Sequence, residues 1–142
     1  SFMLSRRTLA LDIGTVRIGV AVSDPLGMFA QGIAVLAAAS AWMEELDALV
    51  KTYDPETLLL GVPLRTNGAR GPEAEKIEEL GRVLGERYPS VKVVLHDERF
   101  STVMATQALL EGDVSRKNRK GKVDKVAAAL ILQSWLDRSG GV

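Results

Sequence analysis

Apolar residues follow two different rhythms along the chain, and the change comes near residue 40. Residues 8–13 (TLALDI) and 17–23 (RIGVAVS) are short apolar runs separated by Gly14-Thr15-Val16, which reads as a tight hairpin. A third run, 28–36 (MFAQGIAVL), follows the turn Asp24-Pro25-Leu26-Gly27. The chain is therefore expected to open with a three-stranded antiparallel meander. Its strands are apolar or small on both faces, which predicts a sheet covered on two sides.

Beyond residue 40 the spacing turns helical. Trp42, Leu46, Leu49 and Tyr53 share one face of a helix over 41–53, with Glu44, Glu45 and Lys51 elsewhere. Residues 57–62 (TLLLGV) are a continuous apolar strand ending at Pro63. A loop containing Asn67, Gly68 and Gly71 leads to Pro72, well placed as the first residue of a helix over 72–88 whose apolar positions are Ile77, Leu80 and Leu84. Residues 91–95 form another buried strand. Ser101 is suited to cap a helix running to Leu110, and 122–138 reads as a last, strongly apolar helix. The order βββαβαβαα predicts an α/β fold. Its mixed five-stranded sheet has three antiparallel strands, then two parallel ones, with helices on both faces. One domain over 1–142 is expected, with 1–7 a flexible N-terminus in which Ser1 and Phe2 precede a natural start at Met3.

Composition narrows the chemistry. With no cysteine and one histidine, thiolate and multi-histidine metal sites are excluded, so any metal must be held by oxygen, which points to Mg²⁺ or Mn²⁺. The 18 basic and 18 acidic side chains cancel, so an argument for a polyanionic partner must rest on local clustering. No apolar run approaches the ~20 residues of a membrane span, and the N-terminus lacks the apolar core of a signal peptide. A cytoplasmic protein with no membrane partner is expected.

Three acids stand where acids are costly. Asp12 shares a strand face with Ala10, opposite Leu9, Leu11 and Ile13, and a carboxylate inside an apolar strand needs a hydrogen bond, a counter-charge or a metal. Its plainer role is to hydrogen-bond the following Gly-Thr turn. Asp97 and Glu98 follow the strand over 91–95, at the edge where open α/β sheets gather ligands. Only one of the two should face the cleft, and the chain alone does not choose between them. Gly61 lies between these acids and Asp12 and leaves open space for both carboxylates. Asp124 leads the stripe Ala128, Ile131, Trp135 on the last helix, although an acid in a first helical turn also complements the helix dipole. Three converging carboxylates compose a site for hard divalent cations, and two such ions about 4 Å apart can hydrolyse a phosphodiester. No nucleophile motif competes; His96 reads as a strand-end packing residue.

Positive charge is concentrated in SRKNRKGKVDK over 115–125, where Arg116, Lys117, Arg119, Lys120 and Lys122 precede Asp124. Such runs are often solvated loops, but this one leads into a candidate ligand, and Arg65, Arg70 and Arg99 are expected at the same edge. The cluster fits a nucleic-acid backbone.

Taken together, LALDIGTVRIGVAVSDPLG, LLLGVPLRTNGARGP, LHDERFSTVMA and SRKNRKGKVDKVAAALILQSWLD resemble the YqgF family, also called RuvX, of bacterial RNase H-like nucleases. The resemblance runs from about residue 8 to 137. It implies an RNase H-like fold with Asp12, Glu98 and Asp124 as the matching catalytic and metal-ligating acids, which favours Glu98 over Asp97. It also implies a metal-dependent nuclease. The favoured substrate is RNA, in 5′-end maturation of the small-subunit ribosomal RNA precursor, with a four-way DNA junction as the alternative. The wider fold carries a carboxylate on its fourth strand, where this chain has Gly61-Val62-Pro63, so the ligand set is smaller. Two rival readings remain. Asp12-Ile13-Gly14-Thr15 resembles the first phosphate motif of actin-like ATP-binding proteins, which need two such domains. A non-catalytic nucleic-acid-binding module of ribosome assembly would keep the basic run without using the acids. A monomer or weak homodimer is expected.

Overall fold

The computed structural model describes residues 7–65, 67–100 and 116–139; for Phe100, residues 116–124 and Ser139 it describes the backbone alone. The meander is β1 (Thr8–Ile13), β2 (Arg17–Ser23) and β3 (Ala30–Ala37). Helix α1 (Trp42–Tyr53), strand β4 (Thr57–Val62), helix α2 (Pro72–Arg87) and strand β5 (Lys92–Asp97) follow in turn. A 3₁₀ turn (Glu98–Phe100) closes β5, and helix α3 spans Arg116–Ser139. The expected helix from Ser101 to Leu110 lies outside the described residues, as do residues 1–6 of the expected flexible N-terminus. Arg7 is held in place, its guanidinium 5.3 Å from the centre of the Tyr53 ring.

The sheet order is β3-β2-β1-β4-β5, with β1 antiparallel to β2, β2 antiparallel to β3, and β1, β4 and β5 parallel. The mixed sheet expected from the alternation of elements is therefore present, with β4 between the two acid-bearing strands. Strand β4 is buried at all six positions, which explains why its sequence shows no polar alternation. On one face, Leu9, Leu11, Leu58 and Leu60 pack with Leu46 of α1 and with Ala74, Ile77 and Leu84 of α2. On the other, Ala10, Ala21 and Leu59 pack beneath Ala127, Ala128, Ile131, Leu132 and Leu136 of α3. Each fully buried leucine or isoleucine contributes roughly 1.5–3 kcal/mol.

Small residues set how closely α3 lies on the sheet. A side chain on Gly32 of β3 would place its Cβ 2.8 Å from the carbonyl oxygen of Lys125, so only glycine admits the helix backbone there. Farther along, the Gln133 side chain accepts from the Ala30 amide at 2.9 Å and donates to the Met28 carbonyl at 3.0 Å, tying α3 to the start of β3.

Most boundaries fall within one residue of expectation; β3 begins at Ala30 instead of 28, because the Met28 and Phe29 amides donate to the Asp24 carboxylate in the turn, and two others differ at the site's edge. Strand β5 runs to Asp97 because His96 and Asp97 pair with Gly61 and Val62 of β4. Helix α3 starts at Arg116, not near residue 122, so the backbone of the basic run is helical from Arg116 on. Lysine and arginine are good helix formers, and the single Gly121 costs only about 1 kcal/mol inside a helix.

Candidate active site

The parallel strands β1, β4 and β5 end together at one edge, where Asp12, Gly61 and Glu98 meet. Asp12 lies one residue beyond the Leu11–Leu60 pair, on the α3 side of the sheet shared with Ala10. Directly opposite it on β2 is Gly19. The half-buried carboxylate is thus flanked by two strands that present glycine at its level, and at Gly61 the place of a side chain is taken by Ile131 of α3 and by Glu98. Gly61 was legible as open space; Gly19 was not singled out, although the hairpin register of Gly14-Thr15-Val16 places it there.

Glu98 uses that space. It opens the 3₁₀ turn after β5, and its side chain folds back over β4, with Cγ and Oε1 each 3.2 Å from where a Cβ of Gly61 would stand. There it shares a hydrogen bond with Asp12. Burial first, then the negative charge of Asp12, their shared hydrogen bond and the charge of Asp97 push the Glu98 carboxyl up to about 7. The physical meaning is that two facing acids in a partly dry site hold one proton between them when no cation is present.

Asp97 points elsewhere. Its carboxylate accepts from the Arg99 Nη2 at 2.7 Å, the Arg99 Nε at 3.0 Å and the Arg99 backbone amide at 2.9 Å. The Arg99 hydrogen bonds hold its carboxyl below the usual aspartate range. The structure thus separates the two neighbours that the chain left open: Glu98 meets Asp12, and Asp97 clamps Arg99.

His96 completes the row Gly19–Asp12–Gly61–His96. It is buried, with Nε2 3.1 Å from the Ser134 hydroxyl of α3. Burial, then the charge of Arg138, lowers its pKa, so it stays neutral near pH 7 and adds no positive charge beside the acids. The backbone of Asp124 lies on α3 one turn before the buried Ala128. Its side chain, like those of Arg116, Lys117, Arg119, Lys120 and Lys122, lies outside the described ones. Among the described residues no three acids or histidines are grouped to hold a metal; of the expected ligands, Asp12 and Glu98 are the two acids that the described residues bring together.

At the same edge, Arg65, Arg70 and Arg99 surround the loop between β4 and α2. Arg70 pairs with Glu78 of α2 through two hydrogen bonds, one of 2.9 Å from Nε. Arg99 pairs with Asp97, and Arg65 forms no ion pair among the described residues. A cavity of about 440 Å³, lined by Arg7, Ser23, Asp24, Phe29 and Tyr53, lies at the opposite end of β2 and is separate from these acids.

The mixed five-stranded sheet with helices on both faces is an α/β fold that solved junction resolvases share. RuvC from Thermus thermophilus, solved with a Holliday junction substrate, shares the fold with a TM-score of 0.54 at 16% identity, over 94% of this chain and 96% of that one. The fowlpox virus resolvase, solved with Holliday junction DNA, gives a TM-score of 0.51 at 14% identity, over 92% and 98%. The chain matches the family described as "RuvX: Holliday junction resolvase" over residues 6–138, and it belongs to that family. Relatives named "Putative pre-16S rRNA nuclease" include one from Clostridium botulinum (strain Eklund 17B / Type B), 48% identical over 93% of this chain and 97% of the relative. Another, from Geobacillus kaustophilus (strain HTA426), is 46% identical over 92% and 97%.

Proposed function

We propose that this chain is a divalent-metal-dependent nuclease that hydrolyses nucleic-acid phosphodiesters, with precursor small-subunit ribosomal RNA as its substrate. The return of Glu98 over Gly61 to meet Asp12 carries the reading. Two carboxylates sharing a proton in a half-buried site have the oxygen donors and the excess negative charge that a hard cation compensates. Asp12 and Glu98 would hold the ion, joined by Asp124 from α3. Bound Mg²⁺ or Mn²⁺ would supply charge neutralisation at the phosphate and activation of water.

The chain's own residues shape the rest. Gly61 leaves the room above β4 that lets the Glu98 side chain fold back to Asp12. Ile131, whose Cδ1 stands 2.8 Å from the Cβ position of Gly61, and the neutral His96 wall the site on the α3 side and limit water. The basic N-terminal part of α3 and the loop after β4 form the rim that meets the polyanion. The names of the 46–48% identical relatives support RNA as the substrate. The family's own description supports a four-way DNA junction as the second reading, which would bring two active sites together in a dimer. The expected setting is the cytoplasm, with the protein a monomer or weak homodimer.

The test is cleavage of labelled precursor rRNA, single-stranded RNA and a four-way DNA junction, each with Mg²⁺, with Mn²⁺ and with chelator. Metal-dependent cutting of the precursor RNA is expected. Paired cuts in the junction alone would establish the second reading, and metal-independent binding without cleavage would refute both.

A further inference from the structure

The three arginines around the loop between β4 and α2 do not stand in equivalent surroundings. The loop leaves β4 next to Gly61 and turns tightly: the Gly68 amide donates to the Arg65 carbonyl at 2.7 Å, and the Arg65 amide to the Ala69 carbonyl at 3.1 Å. Gly68 has φ +86°, a conformation that suits glycine. The turn is held from two sides. Arg99, its fork filled by Asp97, lays its guanidinium against Gly68, with Nη1 3.3 Å from the Cβ position of that glycine. Arg70 reaches from the end of the loop to Glu78, nearly two turns into α2.

Arg65 differs. Its guanidinium lies beside Gly71 at the start of α2, with Nε 3.3 Å from the Cβ position there. The carboxylate of Glu73 flanks the same glycine without pairing with Arg65. An arginine whose fork already grips a carboxylate has its charge and donors committed, whereas an unengaged fork at the positive end of a helix is ready for phosphate.

We infer that Arg65 is the phosphate-contacting side chain of this loop, and that Arg70 and Arg99 act as positioning residues, bracing the turn that presents it. The inference rests on the nuclease reading above and names which group of the rim meets the backbone.

Its test uses substitutions whose two explanations predict opposite signs. Glu78→Gln and Asp97→Asn each remove a negative charge, which by itself strengthens binding to a polyanion. If their partners are braces, the substitutions instead loosen the turn and weaken binding, by up to about fivefold, the scale of an exposed ion pair. Binding of a single-stranded RNA oligonucleotide is measured over a salt series, with calcium to suppress cleavage. Arg65→Ala is expected to lower the slope of log K against log salt by about 0.7, the value for one phosphate contact on a single strand. Glu78→Gln and Asp97→Asn are expected to weaken binding with the slope unchanged. Tighter binding by either acid variant, or an unchanged slope for Arg65→Ala, would overturn the inference while leaving the nuclease reading intact. Failure of the wild type to bind RNA at all would remove both.

Discussion

Replacing Glu98 with glutamine should make the metal-free protein more stable at neutral pH. Glutamine keeps the shape of protonated glutamate and can still donate to Asp12, but it never has to ionise. In the wild type, burial and the Asp12 charge raise the Glu98 carboxyl from 4.5 to about 7. Below pH 4.5 both folded and unfolded chains hold this proton, and the group costs nothing. As pH rises from 4.5 to about 7 the unfolded chain releases the proton while the folded chain keeps it, so stability falls, and the penalty is complete above 7. At about 1.4 kcal/mol per pH unit the loss would be about 3.5 kcal/mol, and solvent reaching the open side of the site brings it to about 2 to 3 kcal/mol. The assay is urea unfolding in EDTA at several pH values between 4.5 and 8. The two proteins should have similar stability at pH 4.5 and should diverge, with the variant about 2 to 3 kcal/mol ahead by pH 8. Saturating Mn²⁺ should reverse the order, because the variant has lost a ligand oxygen charge. Parallel stability curves across this pH range in EDTA would refute the facing of Glu98 and Asp12.

Gly61→Ala puts a methyl group 2.8 Å from Ile131 Cδ1 and 3.2 Å from the Glu98 side chain, a crowding expected to cost about 1–3 kcal/mol in urea unfolding and to shrink the pH-dependent loss just described. Replacing Arg116, Lys117, Arg119 and Lys120 together with alanine should weaken binding to all sequences and lower the salt slope by about 2 to 3 on single strands. The fourfold variant should bind Mn²⁺ like the wild type, since none of these side chains ligates a cation; coincident salt slopes would make the segment a solvated helix end.

Strand β4 was legible because its burial is simple: the continuous apolar run 57–62 became a fully covered strand, and Pro72 marked the start of α2 as N1 prolines do. The run 91–95, expected to be buried as well, became the edge strand of the sheet, with Leu95 exposed. The acid edge was legible too, since a carboxylate in TLALDI and a charged strand end need the same remedy. What the chain alone could not decide was fixed by register and by a turn. Glu98 reaches Asp12 only because β5 extends to Asp97 and the next residue enters a 3₁₀ turn that throws its side chain back over β4. Alternation along an ideal strand separates Asp97 from Glu98 but does not say which one faces the cleft. Likewise Gly19 becomes part of the site through its pairing with Asp12, a contact across the hairpin that periodicity along one strand does not show. The start of α3 was placed too late because the apolar stripe begins near residue 124, while the helix backbone is carried farther back by charged residues with good helix propensity.

The central claim is that Asp12 and Glu98 act together on a phosphodiester, with Asp97 held apart by Arg99. The measurement is metal-dependent cleavage of labelled precursor small-subunit rRNA by wild type, Asp12→Asn, Glu98→Gln and Asp97→Asn, each shown to be folded by its unfolding transition. Asp12→Asn and Glu98→Gln should each lose more than about a hundredfold in rate, beyond the 10–100-fold typical of losing a group that only supports a ligand, while Asp97→Asn keeps most of its turnover at saturating RNA. Full activity in folded Asp12→Asn, or a greater loss in Asp97→Asn than in Glu98→Gln, would contradict the claim.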